Sequence, residues 1–233
     1  PCSFCGKYNF LAPSLRFFDK ESLHSLFGLG VKFFVIQVSG LMLFMSSNVI
    51  ISHVMNPAEV TPYQIAYRYF SLLYMLFTII ASPLWSATTD AYTKGEWDWI
   101  RLVMRKMNYL LLICGFVVAF MVIIAPLFYH LWIGDKVDIG LTLNVMMALY
   151  TYMLVVSNSY SYILMGIGKI RMILVVTISE MLVFVPIEYF ACKYARTTGL
   201  LSSLILSTAI CAILNNVQFR LLSSGKATGI WNK

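Results

Sequence analysis

Long apolar runs separated by short polar breaks dominate the chain from residue 26 to residue 222. The first run covers residues 26–54 and stops at Asn56-Pro57. The second covers 61–89, with Pro62 in its first turn, where a missing N–H is tolerated, and Pro83 inside it. A charged, Trp-containing segment (94–106) leads into the third run, 107–132, which holds Pro126 and ends at Ile133-Gly134-Asp135-Lys136. The fourth covers 139–165, and a Gly166-Ile167-Gly168-Lys169-Ile170-Arg171 turn joins it to the fifth, 172–192. A short loop, 193–199, precedes the sixth, 200–222. Each run meets the ~20 residues a helix needs to cross a bilayer. The pattern predicts an all-α membrane protein of six transmembrane helices over 25–222. Residues 1–24 read as a connector and 223–233 as a polar tail.

Composition agrees. Hydrophobic residues make up 60% of the chain and charged ones 12%, against about a quarter charged in soluble domains. The 233 residues leave no stretch for a separate water-soluble domain. The net charge of +7 would suit a nucleic-acid partner, but its placement follows the membrane. Lys7, Arg16, Lys20, Lys32, Lys94, Arg101, Arg105, Lys106, Lys169, Arg171, Arg220, Lys226 and Lys233 fall on one side of the predicted spans; Lys136, Lys193 and Arg196 fall on the other. Thirteen against three predicts both termini on the cytoplasmic side. Trp85, Trp97, Trp99 and Trp132 stand near predicted span ends, where interfacial aromatics belong.

The seventeenth Lys or Arg, Arg68, is assigned to neither side and lies inside a span. An Arg near a helix centre costs about 2.5–3.5 kcal/mol on insertion scales, so it either snorkels to the headgroups or faces a cavity. Gln64, Arg68, Ser71, Thr78, Ser82 and Ser86 fall within one arc of the second helix. Asn144, Thr151, Asn158 and Tyr162 share a face of the fourth, and Gln37 and Asn48 share a side of the first. Such residues either bond between helices or line a hydrated interior. The three stripes together favour an interior, with Arg68, Gln64, Ser71, Gln37, Asn48, Asn144 and Asn158 as candidate substrate-binding residues. In the fifth helix Glu180 is a candidate ion-coupling residue, with Pro186 and Glu188 nearer the outer end.

Signals for an enzyme are weak. His24, His53 and His130 have no metal-binding spacing, and there is no nucleophile elbow or phosphate loop. Cys2 and Cys5 form a single CxxC without a second pair, and Cys114, Cys192 and Cys211 lie in or beside apolar spans. Neither a cofactor nor a metal is expected. A membrane-embedded polymerase or acyltransferase would need a large outer loop, and none is present. The chain begins at Pro1 without a signal-peptide pattern, which fits a fragment or truncated product.

Several stretches carry a family resemblance. They are Leu29-Gly30-Val31-Lys32-Phe33-Phe34-Val35-Ile36-Gln37, then Val60-Thr61-Pro62-Tyr63-Gln64-Ile65-Ala66-Tyr67-Arg68-Tyr69-Phe70-Ser71, and Pro83-Leu84-Trp85-Ser86-Ala87-Thr88-Thr89-Asp90-Ala91-Tyr92. The Gly166–Arg171 turn and the closing Gly229-Ile230-Trp231-Asn232-Lys233 are further matches. Together they resemble the C-terminal half of bacterial O-antigen and polysaccharide flippases, within the multidrug/oligosaccharidyl-lipid/polysaccharide flippase superfamily. The resemblance implies one lobe of a two-lobe transporter working by alternating access in the bacterial inner membrane. It implies as cargo an undecaprenyl-pyrophosphate-linked O-antigen or capsule unit, with Arg68 where a basic residue is common. One lobe cannot enclose the cavity alone, so a missing N-terminal lobe or a partner chain is expected beside the substrate and the membrane lipids. A cation-coupled multidrug exporter of the same superfamily is the alternative, with Glu180 as its ion site. An incomplete half-transporter is another.

Overall fold

A computed structural model describes residues 20–134 and 137–232. Cys2, Cys5, most of the predicted connector and Lys136 lie outside the described residues. The elements are α1 (Lys20–Val54), α2 (Pro57–Thr93), α3 (Trp97–Ile133), α4 (Leu141–Ile167), α5 (Arg171–Ser179), a π-helical turn (Glu180–Phe184) and α6 (Val185–Ser223). A short 3₁₀ turn, Gly229–Asn232, follows, and no strand occurs among the described residues.

The helices outrun the apolar runs that predict them. α2 and α3 each have 37 residues, about 55 Å at 1.5 Å per residue, against ~30 Å of hydrocarbon. Their polar end turns account for the excess. Asn56 caps α2 by accepting from the Ala58 N–H, and Pro57 takes the first helical position. The charged segment expected as a loop is mostly the first turns of α3. There Arg101 pairs with Asp98 at 2.8 Å and also donates to the Ser223 carbonyl.

Among the described residues five stretches, not six, are long and apolar enough to cross a membrane: Gly30–Val54, Pro57–Thr93, Trp97–Ile133, Leu141–Ile167 and Arg171–Ser223. The difference lies in the last, whose 53 residues cover both the fifth and sixth predicted spans. Residues 193–199 keep helical hydrogen bonding on each side, so no loop separates the two. Only Ala195 and Arg196 leave helical geometry, Arg196 at φ +54°. That is enough to turn the chain back. In a straight helix residues 191 and 199 would lie about 12 Å apart, and 180 and 207 about 40 Å. Instead a Cβ at Gly199 would stand 2.1 Å from the Ala191 carbonyl oxygen, so only glycine fits the close approach. Ser207 donates to the Glu180 carboxylate at 2.8 Å across the two legs. An ion pair between Arg196 and Glu59 (3.2 Å) ties this turn to the start of α2.

α4 sits at the centre, packed against α2, α3 and α6, while α1 lies against α6, α2 and α5. α2 and α4 approach closely at Gly166, where a Cβ would lie 2.7 Å from Thr88 Cβ and from the Trp85 carbonyl. Between α2 and α3 an aromatic cluster of Tyr69, Phe70, Phe128 and Tyr129 does the packing, and Tyr69 donates to the Met121 carbonyl. The expected polar tail folds back on the body: Gln218 donates to the carbonyls of Lys169 and Trp231, and Lys169 to that of Asn232. The bundle thus has two ends, one marked by the Arg196 turn and the other by Trp231.

Candidate functional site

A cavity of about 560 Å³ lies among α1, α2, α4, the α5–π segment and α6. α1 contributes Phe33 and Gln37; α2 contributes Tyr67, Tyr74 and Trp85; α4 contributes Tyr150, Ser157, Asn158, Ser161 and Tyr162. Thr177 and Glu180 come from the fifth stretch before its turn, and Ser207, Thr208 and Cys211 from after it. The lining is amphipathic: four tyrosines and one tryptophan supply apolar faces with polar tips, and hydroxyls, amides and a carboxylate lie between them. Phe33 and Trp85 pack at 5.2 Å between ring centroids.

Local structure explains how Glu180 comes to face this space. It opens the π-helical turn Glu180–Phe184. Pro186, two residues past the turn, has no N–H to give to the carbonyl four residues back. A π turn widens the helix locally, an arrangement frequent at functional positions. The Ser207 hydroxyl then holds the carboxylate from the opposite leg.

The predicted site residues divide among several places. Gln37, Asn158 and Glu180 line the cavity, with Asn158 also donating to the Leu154 carbonyl. Gln64 and Asn48 do not line it; they bond to each other between α2 and α1. Asn144 is buried and accepts from the Tyr129 hydroxyl at 2.8 Å, joining α4 to α3. Ser71 donates to the Arg68 carbonyl. Arg68 projects from the outward face of α2, in line with the exposed Leu72, Met75 and Ile79, and is not part of the cavity wall.

Sequence reasoning missed Tyr67, Tyr74, Tyr150 and Ser207 as lining residues. Tyr67 and Tyr74, seven apart on α2, repeat at helical spacing and could have been found by following aromatic as well as polar positions. Ser207 carried no such signal, because its role depends on the reversal at Arg196.

The MatE family model matches residues 34–190, well over half of the chain. A protein of Yersinia pseudotuberculosis described as "Putative O-antigen export protein" is 21% identical over 225 residues, an alignment covering 90% of this chain and 50% of that protein. The chain therefore spans about half the length of the curated relative it matches. No solved structure matches it.

Proposed function

The chain belongs to the MatE family of membrane transport proteins, and on that premise we propose that it forms one lobe of a two-lobe flippase moving a lipid-linked oligosaccharide. The observation that carries the reading is the cavity, whose tyrosines, hydroxyls and amides lie within the helix bundle. Such a lining matches the hydroxyls and apolar ring faces of a sugar chain. Export of O-antigen is what the name of the Yersinia relative describes, which supports this cargo over others. In this reading Arg68 and the outward face of α2 meet the second lobe, where the guanidinium attracts the pyrophosphate of an undecaprenyl-linked unit. Gln64, Ser71, Asn48 and Asn144 shape and support the wall, while Gln37 and Asn158 contact sugar.

Each leg of the 53-residue stretch counts as one crossing in this proposal, giving six passes. Both termini are then cytoplasmic in the bacterial inner membrane. The test is complementation of a strain lacking its O-antigen flippase, using this chain joined to or co-expressed with the other half. Arg68→Ala should lower surface polysaccharide at least tenfold without lowering the amount of folded protein. Unchanged polysaccharide would remove Arg68 from the mechanism.

Glu180 in a wall rich in tyrosine also suits a lipophilic cation, which supports a second reading as a cation-coupled drug exporter. Glu180→Gln then abolishes drug extrusion, whereas a flippase gives no drug resistance in the first place.

A further inference from the structure

On the side of α4 turned away from the cavity, α3 and the leg of α6 after the Arg196 turn run past one another without packing together. Each packs on α4, and they meet one another hardly at all. Two bridges fix their register. Arg101 donates to the Ser223 carbonyl. The Tyr160 hydroxyl of α4 stands between Asn108 and Asn216, donating to the first at 3.4 Å and accepting from the second at 2.6 Å. With Arg101 opposite Ser223 and Asn108 opposite Asn216, the two helices run antiparallel and leave a groove floored by α4. Tyr160 closes the floor near the Trp231 end of the bundle, and the half-buried Met153 and Val156, on the same face of α4, continue it inward. None of these three lines the cavity.

The groove has a charged end and an apolar length. Arg105 lies one turn beyond Arg101 on α3, and Arg220 lies one turn beyond Asn216 on α6, close to Tyr160. Arg101 is held by Asp98 at 2.8 Å. Arg105 and Arg220 are exposed, and among the described residues neither has a carboxylate partner. Three guanidiniums against one carboxylate leave this end positive. Farther in, the exposed Leu112 and Phe116 continue the α3 wall and the exposed Ile213 continues the α6 wall. Trp97 and Trp99, just before Arg101, mark the charged end as the headgroup layer.

Arginine recognises phosphate because its N–H groups match phosphate oxygens two at a time. A soluble anion gains nothing from the apolar length, whereas an acyl chain does. A zwitterionic headgroup would bring its own amine against the arginines. We propose that the α3–α6 groove binds an anionic phospholipid of the surrounding membrane, its phosphate between Arg105 and Arg220 and one acyl chain along Leu112, Phe116 and Ile213. Arg101 stays with Asp98 and the Ser223 carbonyl and sets the position of the α3 wall. The lipid then joins two helices that the protein leaves apart, by charge at one end and by apolar contact along the groove. The site is separate from the cavity and from the face of α2, and it does not depend on which cargo is carried.

Native mass spectrometry of the purified full chain, with phosphatidylglycerol or phosphatidylethanolamine added to the detergent, tests it. The wild type should retain phosphatidylglycerol roughly tenfold more tightly than phosphatidylethanolamine. Arg105→Ala combined with Arg220→Ala should abolish that preference. Lys94→Ala combined with Arg171→Ala removes as many charges outside the groove and should retain lipid as the wild type does. Ile213→Trp fills the groove with every charge kept and should weaken retention. Equal retention of the two lipids overturns the proposal, as does unchanged retention in the Arg105/Arg220 or the Ile213 variant, or an equal loss in the Lys94/Arg171 variant. Displacement of the lipid by inorganic phosphate also overturns it, in favour of a free-anion site. If the Arg105/Arg220 variant does not fold, thermal unfolding in micelles carries the test. Phosphatidylglycerol must then raise the wild-type midpoint and raise that of Ile213→Trp less, and equal rises overturn the proposal. A chain that retains the lipid yet exports no polysaccharide leaves this site standing and removes the cargo reading.

Discussion

α3 and α4 belong to one bundle, yet they place their polar and apolar residues in opposite ways. α3 is the most apolar of the five long stretches, and it turns its large side chains outward: Phe116 is 78% exposed, Ile123 77% and Leu131 76%. α4 is the least apolar of the five and the most buried, with Asn144, Thr151, Ser157, Ser159 and Ser161 all inside. In water this ordering would be reversed. In lipid the apolar surface needs no cover, and every polar side chain seeks a protein partner, so the polarity of a helix measures how central it is. The same rule places the cavity beside α4 and keeps it away from α3.

Substitutions can sharpen or erase this difference. The largest effect is expected from paired glycine changes. Gly166→Ala in α4 drives a Cβ into Thr88 and the Trp85 carbonyl and should destabilise by about 1–3 kcal/mol. Gly115→Ala in α3 meets only Tyr152, at an ordinary 3.4 Å. It should be neutral or stabilise by about 0.4–1 kcal/mol, because alanine restricts the unfolded chain. Unfolding in detergent micelles reads both, and equal losses would mean the two helices are packed alike.

A smaller effect is expected where the helices meet. Asn144→Ala orphans the Tyr129 hydroxyl and should cost on the order of 0.6–1.7 kcal/mol. In a double-mutant cycle with Tyr129→Phe, a coupling energy near zero would show that the bond contributes nothing. Smallest of all, Ile123→Ala on the outward face of α3 should change stability by no more than about 0.5 kcal/mol. A larger loss in the same unfolding assay would mean that this face is covered by another part of the assembly.

Much of the helical plan was legible before any coordinates. Asn56-Pro57 marks the α1–α2 junction because an N-cap followed by proline is a local signal. Helix lengths were underestimated because apolarity stops at the headgroups while hydrogen bonding continues, as it does from Trp97 to Lys106. The composition of residues 193–199 predicts a loop there, whereas the structure departs from helical geometry only at Ala195 and Arg196, because a two-residue departure leaves no mark in composition. The polar stripes were real faces, but periodicity does not say what a face meets. Asn158 of the α4 stripe reaches the cavity while Asn144 reaches Tyr129, and Asn48 and Gln64, assigned to a cavity, satisfy each other. Glu188 stood in plain view as an acid in an apolar run; its complete enclosure depends on α1 and α2, far away along the chain.

The tight reversal at Arg196 also bears on how the chain is made. A ribosome delivers the leg containing Glu180 before the leg containing Ser207, and the turn between them offers no soluble segment on which the first could wait. Until the second leg emerges, the first is a hydrophobic helix carrying an unmatched acid, a poor candidate for release into lipid by itself. The expected outcome is that the two legs insert together as a hairpin, and that a chain ended at the turn fails a protease-protection assay which the longer chain passes.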